Sequence, residues 1–131
     1  MPKKVEAGRL EVVSEDTRRS ISEFDMITGN ILIITVTGNA GPLGQHFHRG
    51  KTEVFTLIKG TGTVQTAPVD EDGKICGPIS KYEMDANGDG ITVISIPSFI
   101  THRFDLEEGS VLHVHSSAPF DQEDLCKCPI D

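Results

Sequence analysis

The chain has 131 residues, enough for one domain with a real hydrophobic core, since a domain of this size buries roughly two thirds of its unfolded surface. Twelve Lys and Arg stand against 20 Asp and Glu, and the net charge of −8 argues against a nucleic-acid backbone or an anionic membrane as the main partner. No apolar run follows Met1-Pro2-Lys3-Lys4, and the longest elsewhere, Ile31 to Ile34, is too short for a bilayer, so no signal peptide and a cytoplasmic setting are expected.

In chain order, apolar residues recur with period two or in short β-branched runs bounded by Gly, Pro, Asn and Asp. That pattern predicts strands over Arg9 to Ser14, Ile31 to Thr37, Gln45 to His48, Glu53 to Lys59, Thr61 to Thr66, Ile91 to Ile96, His102 to Asp105 and Val111 to Ser116. The stretch from Ala67 to Gly90 reads as a long excursion, interrupted by a short strand near Ile79 to Met84. No segment has the apolar stripe of an amphipathic helix. Eight or more short strands with 13 glycines point to a closed or two-sheet antiparallel barrel that hides its edges. One domain over 1–131 is expected, with an acidic surface tail at 119–131 whose docking residues would be Phe120 and Leu125.

Several local patterns lead nowhere. Asp85-x-Asn87-x-Asp89-Gly90 begins like a calcium loop, but position twelve would be Ile96 and no helices flank it. Gly38 to Gly44 is glycine-rich without the Lys-Ser/Thr ending of a phosphate loop. Cys76, Cys126 and Cys128 fit no disulfide framework, and Cys126-x-Cys128 lacks two further zinc ligands nearby.

The histidines are more informative. His46 and His48 are two apart on a predicted strand and so share a side. A lone pattern of this kind is more often a surface strand with Phe47 turned inward. Here Glu53 follows after a short turn and alternates with Phe55 and Leu57, so if those two face the interior, Glu53 does too. A buried carboxylate beside two imidazoles is costly unless a cation joins them, which is the physical case for a metal ion.

His46-x-His48, four residues, Glu53, six residues, Gly60 resembles the first motif of the cupin superfamily, H-x-H-(x)3,4-E-(x)6-G. The second motif, G-(x)5-P-x-G-(x)2-H-(x)3-N, is similar to Gly90 through Pro97-Ser98-Phe99-Ile100-Thr101-His102, with Phe99 in place of a glycine and Leu106 in place of the Asn. The resemblance spans 41–106. It implies an all-β fold, a cupin jelly-roll-like antiparallel β-barrel, in which His46, His48, Glu53 and His102 bind one divalent metal ion, zinc, iron, manganese or nickel. A homodimer associated through its sheets is implied as well.

The local stretch His46 to Phe55 also resembles cupin modules of nucleotide-sugar and capsular-polysaccharide enzymes, and the leading expectation is a metal-dependent isomerase or epimerase acting on a sugar or sugar derivative. Glu53 or Tyr82 is the expected base. Gln45, Lys51, Phe55, His113 and His115 are the candidate substrate contacts, whereas alternation puts Arg103 opposite His102 and outside. The alternatives are an iron- or manganese-dependent dioxygenase, and a sugar-binding module without catalysis.

Overall fold

A computed structural model describes residues 11–17, 19–26, 29–38 and 41–131. The strands are β1 (Glu11–Glu15), β2 (Arg19–Met26), β3 (Gly29–Val36), β4 (Leu43–Phe47), β5 (Glu53–Lys59), β6 (Thr61–Pro68), β7 (Ser80–Asp85), β8 (Val93–Ile96), β9 (Ile100–Leu106), β10 (Val111–Ser116) and β11 (Cys126–Lys127). They form two sheets, in the orders β1-β2-β3-β10-β5-β8 and β11-β4-β9-β6-β7, and every strand pair is antiparallel. No helix among the described residues is long and apolar enough to cross a membrane.

The inner faces of the two sheets meet in one core. Leu32, Phe55, Leu57, Val64, Met84, Ile96, Phe104, Leu112 and Val114 are all buried in it. The alternation that suggests strands in the sequence is visible as burial: Leu112, Val114 and Ser116 of β10 face inward while Val111, His113 and His115 face out.

One feature departs from the sequence reading, the unexpected β2, and two others refine it, the expected strand near Ile79 to Met84 being β7. The expected strand from Arg9 begins outside the described residues, and its described part is β1. β2 was not anticipated, because Ile21 falls on one parity of the strand and Phe24 and Met26 on the other, which hides the period. The excursion from Ala67 to Gly90 is largely a hairpin, with β7 paired along β6 and a Val69–Ile75 bridge beyond it.

The acidic tail is more ordered than its composition suggests. Phe120 and Leu125, the expected docking residues, line the cavity, and the segment after Pro119 runs through a 3-10 turn at Gln122–Asp124 into β11, which pairs with β4. Ile130 is wholly buried and Cys128 nearly so, the latter in a small cluster with Phe47, Val69, Phe99 and Cys126. The Arg49 guanidinium caps that cluster, 5.4 Å from the Phe47 ring centre and 5.5 Å from that of Phe99.

Gly60 is the corner at which the chain leaves one sheet for the other. Its φ is 103°, and a Cβ there would collide with Ser110 Oγ and lie 2.9 Å from Ser110 Cα. Gly60→Ala should therefore cost at least about 2 kcal/mol, read as a lowered midpoint in urea denaturation.

Candidate metal centre

The site is built from the end of β4, the start of β5, the loop that joins them and the middle of β9. On β4, Gly44 (φ 84°) and Gln45 (φ 63°) form a bulge, with the register to β9 shifting between Gly44 and His46. After the bulge, His46 points inward, Phe47 outward to the second cluster, and His48, one residue beyond the strand, again lines the interior. Glu53 opens β5 and is 6 % exposed, and His102, in mid-β9, is 2 % exposed beside Phe55 and Phe104.

His46, His48 and His102 converge, each offering a ring nitrogen within 4.8 Å of the others. Glu53 is joined to this trio through His48, whose Nε2 is 3.0 Å from Oε1; the second oxygen, Oε2, is 3.7 Å from Lys51 Nζ. The Nδ1 atoms of His46 and His48 face backbone carbonyls, of Gly44 at 3.0 Å and Asp124 at 2.9 Å. Donation from Nδ1 leaves Nε2 as the atom each ring offers to the interior.

Two observations fit a divalent ion at this point. Both nitrogens of His48 face acceptors, so the gap between Nε2 and Glu53 needs a positive charge, from a proton or a metal ion. Among the described residues, the buried Nδ1 of His102 has no hydrogen-bond partner within hydrogen-bonding geometry, though the Ile100 backbone acts on the ring electrostatically. Imidazole nitrogens with a carboxylate suit a borderline divalent cation.

Electrostatics prepare the same outcome. Burial, reinforced by the neighbouring His102 and His48, pushes His46 down to about 3, and burial pushes His102 down to about 4 against the opposing pull of Glu53. Both rings are thus neutral at physiological pH, with lone pairs to give. For Glu53, burial acts to raise the pKa, but the His48 hydrogen bond and the charges of His48, Lys51 and His102 outweigh it and hold the carboxyl at about 2.

These groups line a cavity of about 100 Å³. Its other walls are mainly apolar, including Leu32, Ile34, Leu43, Phe55, Leu112 and Val114, with Arg19, Lys51 and Asp121 as charged members.

Of the remaining candidates, Lys51 and Phe55 line the cavity. Gln45 does not: its side-chain oxygen accepts from the Ile130 N–H at 2.8 Å, turned toward the C-terminal segment. His113 and His115 lie on the outer face of β10, because the inward positions belong to Leu112, Val114 and Ser116. Tyr82, the alternative base, stands 40 % exposed on β7 and is not among the residues that line the cavity. Arg103 is outside, bonded to Asp105 at 2.8 Å and to the Ile130 carbonyl at 2.8 Å. Sequence reasoning missed Arg19, Asp121 and above all Asp124; no local spacing connects Asp124 with a histidine 76 positions away.

The depressed imidazoles have a measurable consequence. Unfolded, they titrate near 6.5, and folded near 3 and 4, so between those limits the unfolded chain binds more protons. Stability of the metal-free protein should fall as pH is lowered from about 6.5 toward 4. Glu53 adds the same sign lower down, its contribution being present above 4.5 and lost as pH falls through about 2. In His46→Asn the slope of stability against pH should shrink by about one proton within that window, measured by denaturation at a series of pH values.

No protein-family model matches the chain, and no curated protein does. Solved structures do. The capsular polysaccharide assembling protein CapF from Staphylococcus aureus aligns over 95 % of this chain with a TM-score of 0.72 and 21 % identity, the chain spanning only 35 % of its length. A variant of the 3,4-ketoisomerase QdtA from Thermoanaerobacterium thermosaccharolyticum, in complex with TDP-4-keto-6-deoxyglucose, aligns with a TM-score of 0.56 and 19 % identity over 88 % of this chain and 80 % of its own. A variant of ChmJ, a 3'-monoepimerase from Streptomyces bikiniensis in complex with dTDP, gives a TM-score of 0.62 and 15 % identity over 74 % of this chain and 49 % of its own. These are cupin-type folds, and the two antiparallel sheets enclosing this site make the fold of the present chain a cupin jelly-roll barrel.

Proposed function

We propose that the chain binds one divalent metal ion through His46, His48, His102 and Glu53 and acts as a metal-dependent isomerase or epimerase on a keto-sugar derivative. The observation that carries this reading is the convergence of three inward-facing imidazoles, joined through His48 to a buried carboxylate, in the lining of an apolar cavity. The sugar comes from the neighbours, which include an isomerase and an epimerase crystallised with a nucleotide sugar or a nucleotide.

The ion, when bound, supplies a Lewis acid for a substrate carbonyl. The protein's own groups do the rest. In the metal-free site Glu53 Oε1 pairs with His48 Nε2; were those two atoms to bind the ion instead, Oε2, beside Lys51, would be left to take and return the proton next to that carbonyl. Lys51 holds its ammonium within the cavity, where it stabilises negative charge developing on substrate oxygen. The apolar walls exclude water and accommodate a deoxygenated part of the sugar better than a hydroxyl-rich one. A cavity of about 100 Å³ takes the reacting ring and leaves a nucleotide carrier outside it, and Arg19 is among the residues that line the cavity. With a chain of charge −8, such local cations are what an anionic substrate requires. A homodimer through the outer face of the six-stranded sheet, where Ile58 and Val93 are more than half exposed, belongs to the same proposal.

Elemental analysis of protein purified without chelator should find near-stoichiometric metal in the wild type and loss of it in His48→Ala and Glu53→Ala. Incubated in heavy water with a nucleotide-linked 4-keto-6-deoxy sugar, the loaded wild type should wash deuterium in beside the carbonyl, slowed on the order of a hundredfold or more in Glu53→Gln. Oxygen uptake in place of deuterium exchange would move the reading to a dioxygenase. Wild type that carries no metal and ignores added metal would overturn the metalloenzyme.

A further inference from the structure

The two N-terminal ligands are oriented by different means. His46 is fixed within its own strand, by the carbonyl of Gly44 two residues earlier. His48 lies past the end of β4, and its Nδ1 is met by the carbonyl of Asp124 at 2.9 Å, with the Asp124 carboxylate a further 3.7 Å contact. That carboxylate also accepts the Arg49 backbone N–H at 3.0 Å, which clips the turn after His48 to the same residue.

Asp124 is itself held in place from both sides. Upstream, the Asp121 carboxylate caps the 3-10 turn by accepting the Glu123 N–H at 2.9 Å. Downstream, β11 pairs Cys126 with Phe47 and Lys127 with His46, Cys128 N–H donates to the Gln45 carbonyl at 2.9 Å, and Arg103 holds the carbonyl of the wholly buried Ile130. Phe120, Asp121 and Leu125 of this segment line the cavity. The segment therefore runs as a strap from the cavity wall to the outer face of the five-stranded sheet, passing His48 on the way.

We propose that this strap is the outer support of the metal centre, with Asp124 as a positioning residue that keeps a proton on His48 Nδ1 and aims Nε2 at the ion. The inference rests on the metal reading above. A ligand imidazole whose far nitrogen donates to a carbonyl, with a carboxylate close by, is both oriented and made a better donor; losing such support typically weakens metal binding by about 10- to 100-fold.

The test compares full-length wild type, Asp124→Ala and Asp124→Asn. Zinc affinity is measured by competition with a chelating dye, and the histidine ring protons of the metal-free proteins are followed by nitrogen-15 NMR. In Asp124→Ala the zinc Kd should rise roughly tenfold or more, and the His48 Nδ1 proton should exchange faster while that of His46 is unchanged, which also reports an intact barrel. Asn, able to accept the Arg49 N–H, should restore most of the affinity. Wild-type affinity and an unaltered His48 proton in Asp124→Ala would overturn the positioning role of the Asp124 side chain and leave the metal reading standing. A wild type that binds no zinc or other divalent ion would overturn both.

Discussion

Three imidazoles and a carboxylate are shut inside an apolar barrel, and the structure around them answers to the cost of keeping them there. Isolated, each polar group would forfeit its hydration for nothing. Together they offset one another: the carboxylate takes His48, the ammonium of Lys51 lies near its second oxygen, and backbone carbonyls take the far nitrogens of His46 and His48. The bulge at Gly44 and Gln45 serves the same end, turning β4 so that the histidine side of the strand faces the cavity and Phe47 faces the opposite cluster.

Burial also decides what the site can do. Desolvation strips protons from His46 and His102, while neighbouring positive charge keeps Glu53 ionised, so the same small volume holds neutral donors and an anion. That combination is what a divalent ion needs and what an empty barrel tolerates poorly in acid. The apolar lining strengthens every charge interaction inside it, which is why a single ammonium at Lys51 counts for more than the many exposed charges elsewhere.

Most of the barrel was legible because a strand with one buried face writes its period into the sequence: β5 and β10 match their expected limits residue for residue. The ligands were legible as a spacing, His46, His48 and Glu53 with Gly60 behind them, and Gly60 has a physical reason in its positive φ and its contact with Ser110. Phe99 is more instructive. It replaces a glycine of the second cupin motif, yet keeps a φ of 60°, held by donating its N–H to the His48 carbonyl at 2.9 Å and by packing near Phe47 and Arg49. What stayed hidden were long-range pairings: nothing in Asp121 to Asp131 distinguishes a solvated acidic tail from a strap, because the partners, Gln45, His48, Thr101 and Arg103, are supplied by other strands.

The spread of the site along the chain bears on the order in which the protein matures. Its groups come from β4, β5 and β9 and from a carbonyl 76 positions beyond the histidine it supports. Such separations are slow to close, because the entropy of each loop must be surrendered before its contacts form. No nascent fragment of the barrel presents the full set of donors, so on the metal reading proposed above ion capture would be a terminal event, and an ion arriving then would favour only the finished fold, by mass action. On that reading the site would double as a checkpoint on assembly.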